Sequence, residues 1–314
     1  MRHHFLPRFY LHGFTDRHVP PGQTPFVWLY YPQERRWARR APHKAAAQAG
    51  YYSYTDAAGH QRRELEIALS RVESATASLI RGKIASQQLL DREERATLAL
   101  FVALMLTRVP GQHEHVGSFA SDVLQRVLDT QLQLFSDRPE LLEKIKGDCK
   151  AKTGRSDLDE LSLDDCVPGR YRVRTTREAA VAIAFSIAVP AATIIADMGW
   201  RFLVSKPPNW FITSDYPSAM LDPADMANIG RQGIALPNIE VTLPLTRTLA
   251  IMTDWQSKGE TWYQVDSRVV TQVNVRSAIF TSRFIAAPKP DFPGHDHLVY
   301  GHRADREPPS HANT

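Results

Sequence analysis

The segment ATLALFVALML, residues 96–106, is apolar on nearly every side, and this feature constrains the possible folds more than any other. A helix that lacks a polar face has to be covered by other elements, because solvent would otherwise meet its apolar side chains. Asp91 and Glu94 precede the segment with the spacing of a capping box, and Pro110 follows it as a stop signal. The sequence therefore predicts a central, buried helix.

Helical periodicity recurs in other segments. Apolar residues at steps of three or four predict amphipathic helices over residues 64–84 and 113–135 and a shorter helix over Glu140 to Lys146. An Ala-rich helix is expected from residue 179 to 196, with Pro190 kinking it, and a final helix from Val269 to Ile285. These segments predict a predominantly helical core.

Short strands are predicted where the period changes to two. The segment FVWLYY, residues 26–31, is rich in aromatic and β-branched residues, and Trp37 begins its expected hairpin partner. Further candidates follow Trp200, at residues 201–204, 210–213, 239–245 and 249–253. We therefore expect an α+β fold, a predominantly helical core with a small antiparallel sheet, in one domain over residues 1–302 with a disordered tail over 303–314.

Composition limits the classes of protein that need consideration. With 314 residues of which 43% are hydrophobic, the chain can build a core without disulfides or structural metals. Its two cysteines, Cys149 and Cys166, are too few for a disulfide framework, and no secretory signal is visible at the N-terminus. The apolar stretch 179–196 is slightly short for a bilayer, which favours a core helix. We expect a cytoplasmic protein without a membrane span.

Basic residues are concentrated in the first fifty positions, against only two acids there, Asp16 and Glu34. The basic residues are Arg2, Arg8, Arg17, Arg35, Arg36, Arg39, Arg40 and Lys44. A patch of this kind can contact the phosphates of a nucleic acid. The alternative is a solvated surface whose arginine stems cover apolar area.

Several well-defined catalytic motifs are absent from the sequence. It contains no glycine-rich phosphate loop, no G-x-S-x-G elbow, no HExxH and no paired CxxC. The paired histidines His113/His115 and His295/His297 fall at an expected helix start and in a loop, which disfavours a metal site at either pair. Candidate chemistry must therefore come from isolated polar residues beside apolar elements.

Two glutamates border the apolar stripe of the helix that begins at residue 64. Glu66 and Glu73 are seven residues apart, nearly two helical turns, so both carboxylates lie on one side. They could hold a divalent cation or act as acid and base, although border glutamates are commonly only solvated. His4 precedes a compact apolar segment, where it is either a structural imidazole or a general base.

Charged residues also follow two buried segments. Arg108 ends the most apolar helix, where it needs an anion, either a buried glutamate or aspartate or an anionic substrate. Ser214 and Asp215 end the strand WFIT and precede Pro217, so they are either turn residues or active groups at the edge of a sheet. The location of these residues in the sequence does not show whether their role is structural or functional.

Five segments in this order resemble an uncharacterised bacterial family whose members begin with an (Asn/His)-His-Tyr-(Val/Ile)-Pro-x-x-(Phe/Tyr)-Leu signature. The segments are HHFLPRFYLHGF, LEIALSRVE, LMLTRVP, FITSDYPS and VTLPLT. The family is a domain of unknown function, so the resemblance implies an organisation and no reaction. It implies that the polar motif residues are His4, Glu66, Glu73, Arg108, Ser214 and Asp215, accompanied by Pro7, Pro110 and Pro217. The chain departs from the pattern at Val109 and Tyr216.

Three hypotheses follow. The first is a hydrolase of a phosphodiester or nucleic-acid substrate, in which His4 and Asp215 transfer protons or bind a divalent metal. In that hypothesis Glu66 and Glu73 support the chemistry, while Arg108, Arg8 and Ser214 bind substrate. The second is a non-catalytic module of a bacterial defence or stress system that binds nucleic acid or an acidic protein. The third is a scaffold whose polar residues form a buried network. The first requires that these side chains meet in one hollow.

Overall fold

The computed structural model of the chain describes residues 2–16, 22–49, 54–55, 61–62, 64–154, 160, 162–229 and 232–295. The predicted tail over residues 303–314 lies outside these described residues, as do Arg17 and His297. The chain forms two compact units, one of residues 1–112 and 184–314 and one of residues 113–183. The single domain over residues 1–302 stays a prediction.

Seven helices occur in the described part of the chain. They are α1 (Arg8–His12), α2 (Glu64–Leu79), α3 (Arg92–Thr107), α4 (Pro110–Asp137), α5 (Pro139–Thr153), α6 (Arg177–Asp197) and α7 (Ser267–Ala278). A π-helical turn, Ile80–Ile84, extends α2, and 3-10 turns occupy Pro42–Lys44, Leu163–Asp165 and Met226–Asn228.

Thirteen strands complete the described secondary structure. They are β1 (Arg2–His4), β2 (Val27–Tyr31), β3 (Arg36–Arg40), β4 (Ala47–Ala49), β5 (Tyr54–Thr55), β6 (Gln61–Arg62), β7 (Gly199–Val204), β8 (Thr213–Ser214), β9 (Ala219–Leu221), β10 (Glu240–Thr246), β11 (Leu249–Asp254), β12 (Glu260–Gln264) and β13 (Ile285–Ala287).

The strands form two principal sheets, so the α+β class is correct. A five-stranded sheet has the order β12-β7-β11-β10-β9, with β12 parallel to β7 and the other pairs antiparallel. A four-stranded antiparallel sheet has the order β3-β2-β13-β8, and β1-β4 and β5-β6 form two short ladders. The prediction of one small antiparallel sheet underestimated the number and size of the sheets, because the pairing of distant strands leaves no local pattern in the sequence.

The last predicted helix is shorter than expected. Helix α7 ends at Ala278, and Ile285 belongs to β13, where it lies opposite Tyr30 of β2 and Ser214 of β8. All three residues of β13 are buried between these neighbours. A short apolar segment of this kind has no periodicity that separates a strand from a helix, so its partners decide its conformation.

Helix α3 is the central helix, as predicted. Nine of the ten residues from Leu98 to Thr107 are buried. The capping box is present, because the Asp91 carboxylate accepts from the backbone N–H of Glu94 at 3.0 Å and the Glu94 carboxylate accepts from the N–H of Asp91 at 2.9 Å. Helix α4 then begins at Pro110, a position where proline's lack of an N–H removes no hydrogen bond from the helix.

The N-terminal segment, residues 2–16, is held against strands that lie much later in the chain. Tyr10, in α1, is fully buried, and its hydroxyl group donates to the carbonyl of Pro244 at 2.8 Å. The same hydroxyl lies 2.7 Å from that of Thr213 in β8. Because both partners are backbone or side-chain groups of the sheets, α1 has a fixed position relative to them.

Helix α6 has the length and hydropathy of a membrane span, and one third of its apolar window is buried. Within the first unit, Ala188, Ala191, Ala192 and Ile195 form one face of the helix and belong to the main hydrophobic core. Their spacing of three and four residues is that of a helix packed along a single stripe. The N–H of Ala179 donates to the Thr176 hydroxyl group, which is the expected N-cap interaction.

In the second unit, α4 and α5 carry most of the structure. Leu132, Leu142 and Cys166 form a small buried cluster between these helices and the segment that follows them. Helix α5 extends to Thr153, beyond the end predicted at Lys146, so the segment that follows it begins later than the sequence indicated. That segment returns along α4, where the N–H of Val173 donates to the Gln125 side chain at 2.9 Å.

Candidate functional site

A pocket of about 530 Å³ lies in the first unit, between the N-terminal segment and one face of α2. The polar residues that line it are His4, Arg8, Glu66, Ser70, Glu73, Ser74, Ser78, Arg81 and Arg108. Five of these, namely His4, Arg8, Glu66, Glu73 and Arg108, are candidates from the sequence. The structure therefore brings together residues that are far apart along the chain.

Helix α2 supplies most of the pocket wall because its two faces differ in chemistry. Leu69, Thr76 and Ala77 are buried, and Leu69 and Ala77 also border the pocket. Glu66 and Glu73 lie on the pocket face, and the same face continues through Ser74 to Arg81. Residues spaced by three, four or seven positions share one side of a helix, so this polar stripe is a direct result of the sequence.

Arg108 forms the floor of the pocket. Its side chain is 2% exposed, and its guanidinium donates to the Glu73 carboxylate at 2.7 Å and to the backbone carbonyl of His4 at 2.9 Å. Arg108 follows the last residue of α3, where its own N–H still completes the helix by bonding to Leu104. The anion that the sequence required is thus Glu73, and Arg108 ties β1 to α2.

His4 stands at the pocket wall, half-buried, with a defined tautomer. Its Nε2 lies 3.0 Å from the carbonyl oxygen of His43 and, since a carbonyl only accepts, Nε2 carries the proton. In the neutral ring Nδ1 is then the basic nitrogen. Burial lowers the pKa of His4 below its ordinary 6.5, the nearby charge of Arg8 lowers it further, and the bond to His43 opposes them. His4 is therefore neutral near pH 7.

Two arginines at the pocket have their charges available. Arg8 and Arg81 are exposed, and neither forms an ion pair with any residue that the structure describes. Arg108, by contrast, is neutralised by Glu73. The pocket thus combines a neutral imidazole with two guanidinium groups that can bind an anionic group.

Ser214 and Asp215 do not reach this pocket. Ser214 is fully buried, and its hydroxyl group donates to the carbonyl of Ser277 at 2.6 Å or of Tyr216 at 2.9 Å. Asp215 is 3% exposed and accepts from the N–H of Ser282 at 3.2 Å, the hydroxyl of Ser282 at 3.0 Å and the N–H of Phe284 at 3.2 Å. The expectation that these two residues join the other candidates was wrong, because the buried strand turns both side chains toward residues 277–284.

Asp215 anchors the segment that leads into β13, so we expect Asp215→Ala to affect stability and not catalysis. Leaving its backbone donors buried without an acceptor should lower the free energy of unfolding by about 1–3 kcal/mol. Burial raises the pKa of Asp215, so wild-type stability falls as the pH rises through that pKa. The stability difference between variant and wild type should therefore be largest at acidic pH.

Urea unfolding at several pH values would measure this difference, with exposed Asp197→Ala as the matched control. Loss of activity in Asp215→Ala with an unchanged urea midpoint would contradict the structural role.

His113 and His115 do not form a metal site in the part of the chain that the structure describes, and His297 of the other pair lies outside it. His113 is buried and His115 is exposed, because residues two apart on α4 face different directions. His295 stacks on Trp37 with ring centroids 6.1 Å apart. Throughout the described residues, no three His, Cys, Asp or Glu side chains are placed to hold a metal ion.

A second cavity, of about 370 Å³, lies beside β7, β10 and β11. The guanidinium of Arg201 pairs there with Asp254 at 2.7 Å and Glu240 at 3.1 Å, and Arg276 also contacts Glu240. Each of these four side chains has a partner of opposite charge, as in a structural ion-pair network. Sequence reasoning missed this network, although charged residues within otherwise apolar strands are the signal for it.

Arg81 and the serines of α2 were also missed from the sequence. The signal was present, because extending the stripe of Glu66 and Glu73 along the helix reaches Ser74 and Arg81.

A family model described as "Protein of unknown function (DUF4238)" matches residues 2–291. No curated protein and no solved structure matches the chain. The predicted resemblance to a family of unknown function is thus confirmed, and it brings no reaction with it.

Proposed function

The chain belongs to the DUF4238 family of proteins of unknown function, and we propose that it hydrolyses a phosphodiester or nucleic-acid substrate in the pocket between the N-terminal segment and α2. One observation carries the proposal. A neutral histidine, two arginines that have no ion-pair partner among the described residues, and two glutamates line one open cavity. This combination suits general-base attack of water on an anionic ester.

In the proposed reaction, Arg8 binds the non-bridging oxygens of the phosphate, and Nδ1 of His4 removes a proton from a water molecule. The water oxygen bonds to phosphorus while the ester oxygen leaves and takes a proton from solvent. Arg108 acts as a positioning residue, because its bond to the carbonyl of His4 fixes that residue against α2. Glu73 holds Arg108, and Glu66 adds a second carboxylate at the wall.

The scaffold hypothesis explains part of the same arrangement. Arg108 and Glu73 form a mostly buried pair of the kind that fixes helix packing. A buried network alone does not require exposed cations at the rim, however, and Arg8 and Arg81 both lie there. The open, cationic rim favours a ligand.

Hydrolysis of bis(p-nitrophenyl) phosphate by the purified protein tests the proposal, because release of p-nitrophenol is measured by absorbance. The assay is run with Mg²⁺, with Mn²⁺ and with a chelator, so that a requirement for a divalent cation is detected. Absence of turnover above the buffer rate under all three conditions, with this ester and with a single-stranded oligonucleotide, would contradict the proposed hydrolase.

The second candidate function is binding of nucleic acid by the β2–β3 hairpin, in the setting of a bacterial defence or stress system. Arg36, Arg39 and Arg40 are exposed along β3. The guanidinium of Arg39 lies 5.3 Å from the ring of Phe26 and 5.5 Å from that of Trp28. Its stem thus covers aromatic surface while its charge stays available for a phosphate.

Replacing Arg36, Arg39 and Arg40 by glutamine should weaken the salt dependence of oligonucleotide binding. Three lost phosphate contacts reduce the slope of log K against log salt by about 2 for a single strand. Fluorescence anisotropy at several salt concentrations measures the slope. The matched control replaces Arg126, Arg138 and Arg172, which removes the same charge from exposed positions of the second unit. Equal effects of both triple variants would show that only net charge matters.

A further inference from the structure

We propose that the pocket holds a second anionic subsite at Arg81, and that its substrate carries two phosphates separated by a sugar. This inference rests on the proposed function, because the first subsite is the phosphate that His4 and Arg8 engage. The substrate class is therefore a nucleotide or oligonucleotide unit with phosphates on both sides of one sugar, in preference to a compound with one phosphate.

The positions of the cations along α2 support two subsites. Arg81 follows Glu73 by eight residues, which is about 12 Å along a helix axis. His4 and Arg8 lie at the Glu73 end, since Arg108 bonds both Glu73 and the carbonyl of His4. A helical side chain leans toward the N-terminus of its helix, so Arg81 reaches toward that end. We infer that a separation of this order along α2 accommodates a sugar between two phosphates.

The wall between Glu73 and Arg81 carries no charge and consists of Ser74, Ala77 and Ser78. Ser70 and Ser74 are exposed on the pocket face of α2, and no residue that the structure describes bonds to their hydroxyl groups. The hydroxyl group of Ser78 donates to the carbonyl of Ser74 at 3.1 Å. Neutral hydroxyl groups can bond the hydroxyl and ring oxygens of a sugar. Arg8 and Arg81 thus lie at the two ends of an uncharged stretch of the pocket wall, which matches phosphate, sugar and phosphate.

The backbone geometry changes at Arg81. The N–H of Ala85 donates to the carbonyl of Ile80 at 3.1 Å, an i to i+5 bond, so residues 80–84 form a π-helical turn. This π-helical turn is the last turn of α2, because residues 85–87 form a turn and no longer a helix. The turn coincides with the end of the serine-lined wall, where the second subsite begins.

Binding of two matched nucleotides tests the subsite without any need for turnover. Isothermal titration with thymidine 3′,5′-bisphosphate and thymidine 5′-monophosphate should show about tenfold tighter binding of the bisphosphate, from one additional charge-assisted contact. In Arg81→Ala this preference should disappear while affinity for the monophosphate stays unchanged. Arg71→Ala is the matched control, because Arg71 is exposed on the same helix but does not line the pocket.

Other outcomes separate this inference from the proposed hydrolase. Equal affinity of the wild type for both nucleotides, or an equal loss for both in Arg81→Ala, would overturn the second subsite. The latter result would mean that Arg81 shares the first phosphate with Arg8. If the bisphosphate preference depends on Arg81 but no phosphodiester is hydrolysed, the subsite stands and the hydrolase fails.

Discussion

His4→Asn should lower the turnover of a phosphodiester substrate by about a hundredfold to ten-thousandfold, the usual contribution of a general base. Asparagine retains a side-chain donor for the carbonyl of His43 but provides no basic nitrogen at the position of Nδ1. The free energy of unfolding should change little, because His4 is only half-buried. Steady-state kinetics with bis(p-nitrophenyl) phosphate, together with thermal unfolding, measures both quantities.

The pH dependence gives an independent measure of the same role. His4 acts only in its neutral form, so activity should rise with pH through the pKa of His4 and then level off. Because burial and Arg8 lower that pKa, the midpoint should lie below the 6.5 of an ordinary imidazole. The rising limb should be absent from any residual activity of His4→Asn.

The matched control for this variant is His12→Asn. His12 is exposed on α1 and does not line the pocket. Its replacement should leave both turnover and the acidic limb of the pH profile in place. An effect of His12→Asn as large as that of His4→Asn would assign the limb to local charge and remove His4 as the base.

Among the single substitutions, Arg108→Ala should lower the free energy of unfolding the most, by about 3 kcal/mol. Breaking a buried pair leaves one charge without its partner, and here the carbonyl of His4 loses its donor as well. The quarter exposure of Glu73 limits the cost, because solvent partly replaces the lost partner. Urea unfolding would measure the change.

Two further variants test whether the loss of stability comes from the buried Arg108–Glu73 pair. Arg92→Ala removes an exposed arginine from the start of the same helix and should change stability by less than about 0.5 kcal/mol. Arg108→Met combined with Glu73→Leu removes both charges and should recover much of the loss, since apolar side chains can replace a buried pair. A loss in Arg108→Ala no greater than that in Arg92→Ala would mean that the pair contributes nothing to folding.

Local features of the fold were accessible from the sequence. The capping box at Asp91, the apolar helix α3 and the pairing of β2 with β3 each depend on residues close together in the chain. Strand β13 was not accessible, because its three apolar residues become a strand only through pairing with β2 and β8, which lie far from it and from each other in the sequence. Local pattern determines which segments are helices, whereas the sheet order depends on pairings that the pattern does not encode.

The candidate site was predictable to a similar extent. The stripe on α2 and the need of Arg108 for an anion follow from helical spacing and from the cost of a buried charge. Asp215 shows the limit of that reasoning. A buried strand fixes the side chain that follows it, but the direction of that side chain depends on the segment opposite, here residues 282–284.

The bond from Tyr10 to Pro244 has a consequence for synthesis of the protein on the ribosome. This bond cannot form until Pro244 has emerged, so the nascent chain carries α1 without its partner in β10 for most of translation. The attachment of α1 to the sheets is therefore completed late, and a chain that ends before Pro244 would lack it even though His4 and all of α2 had been made.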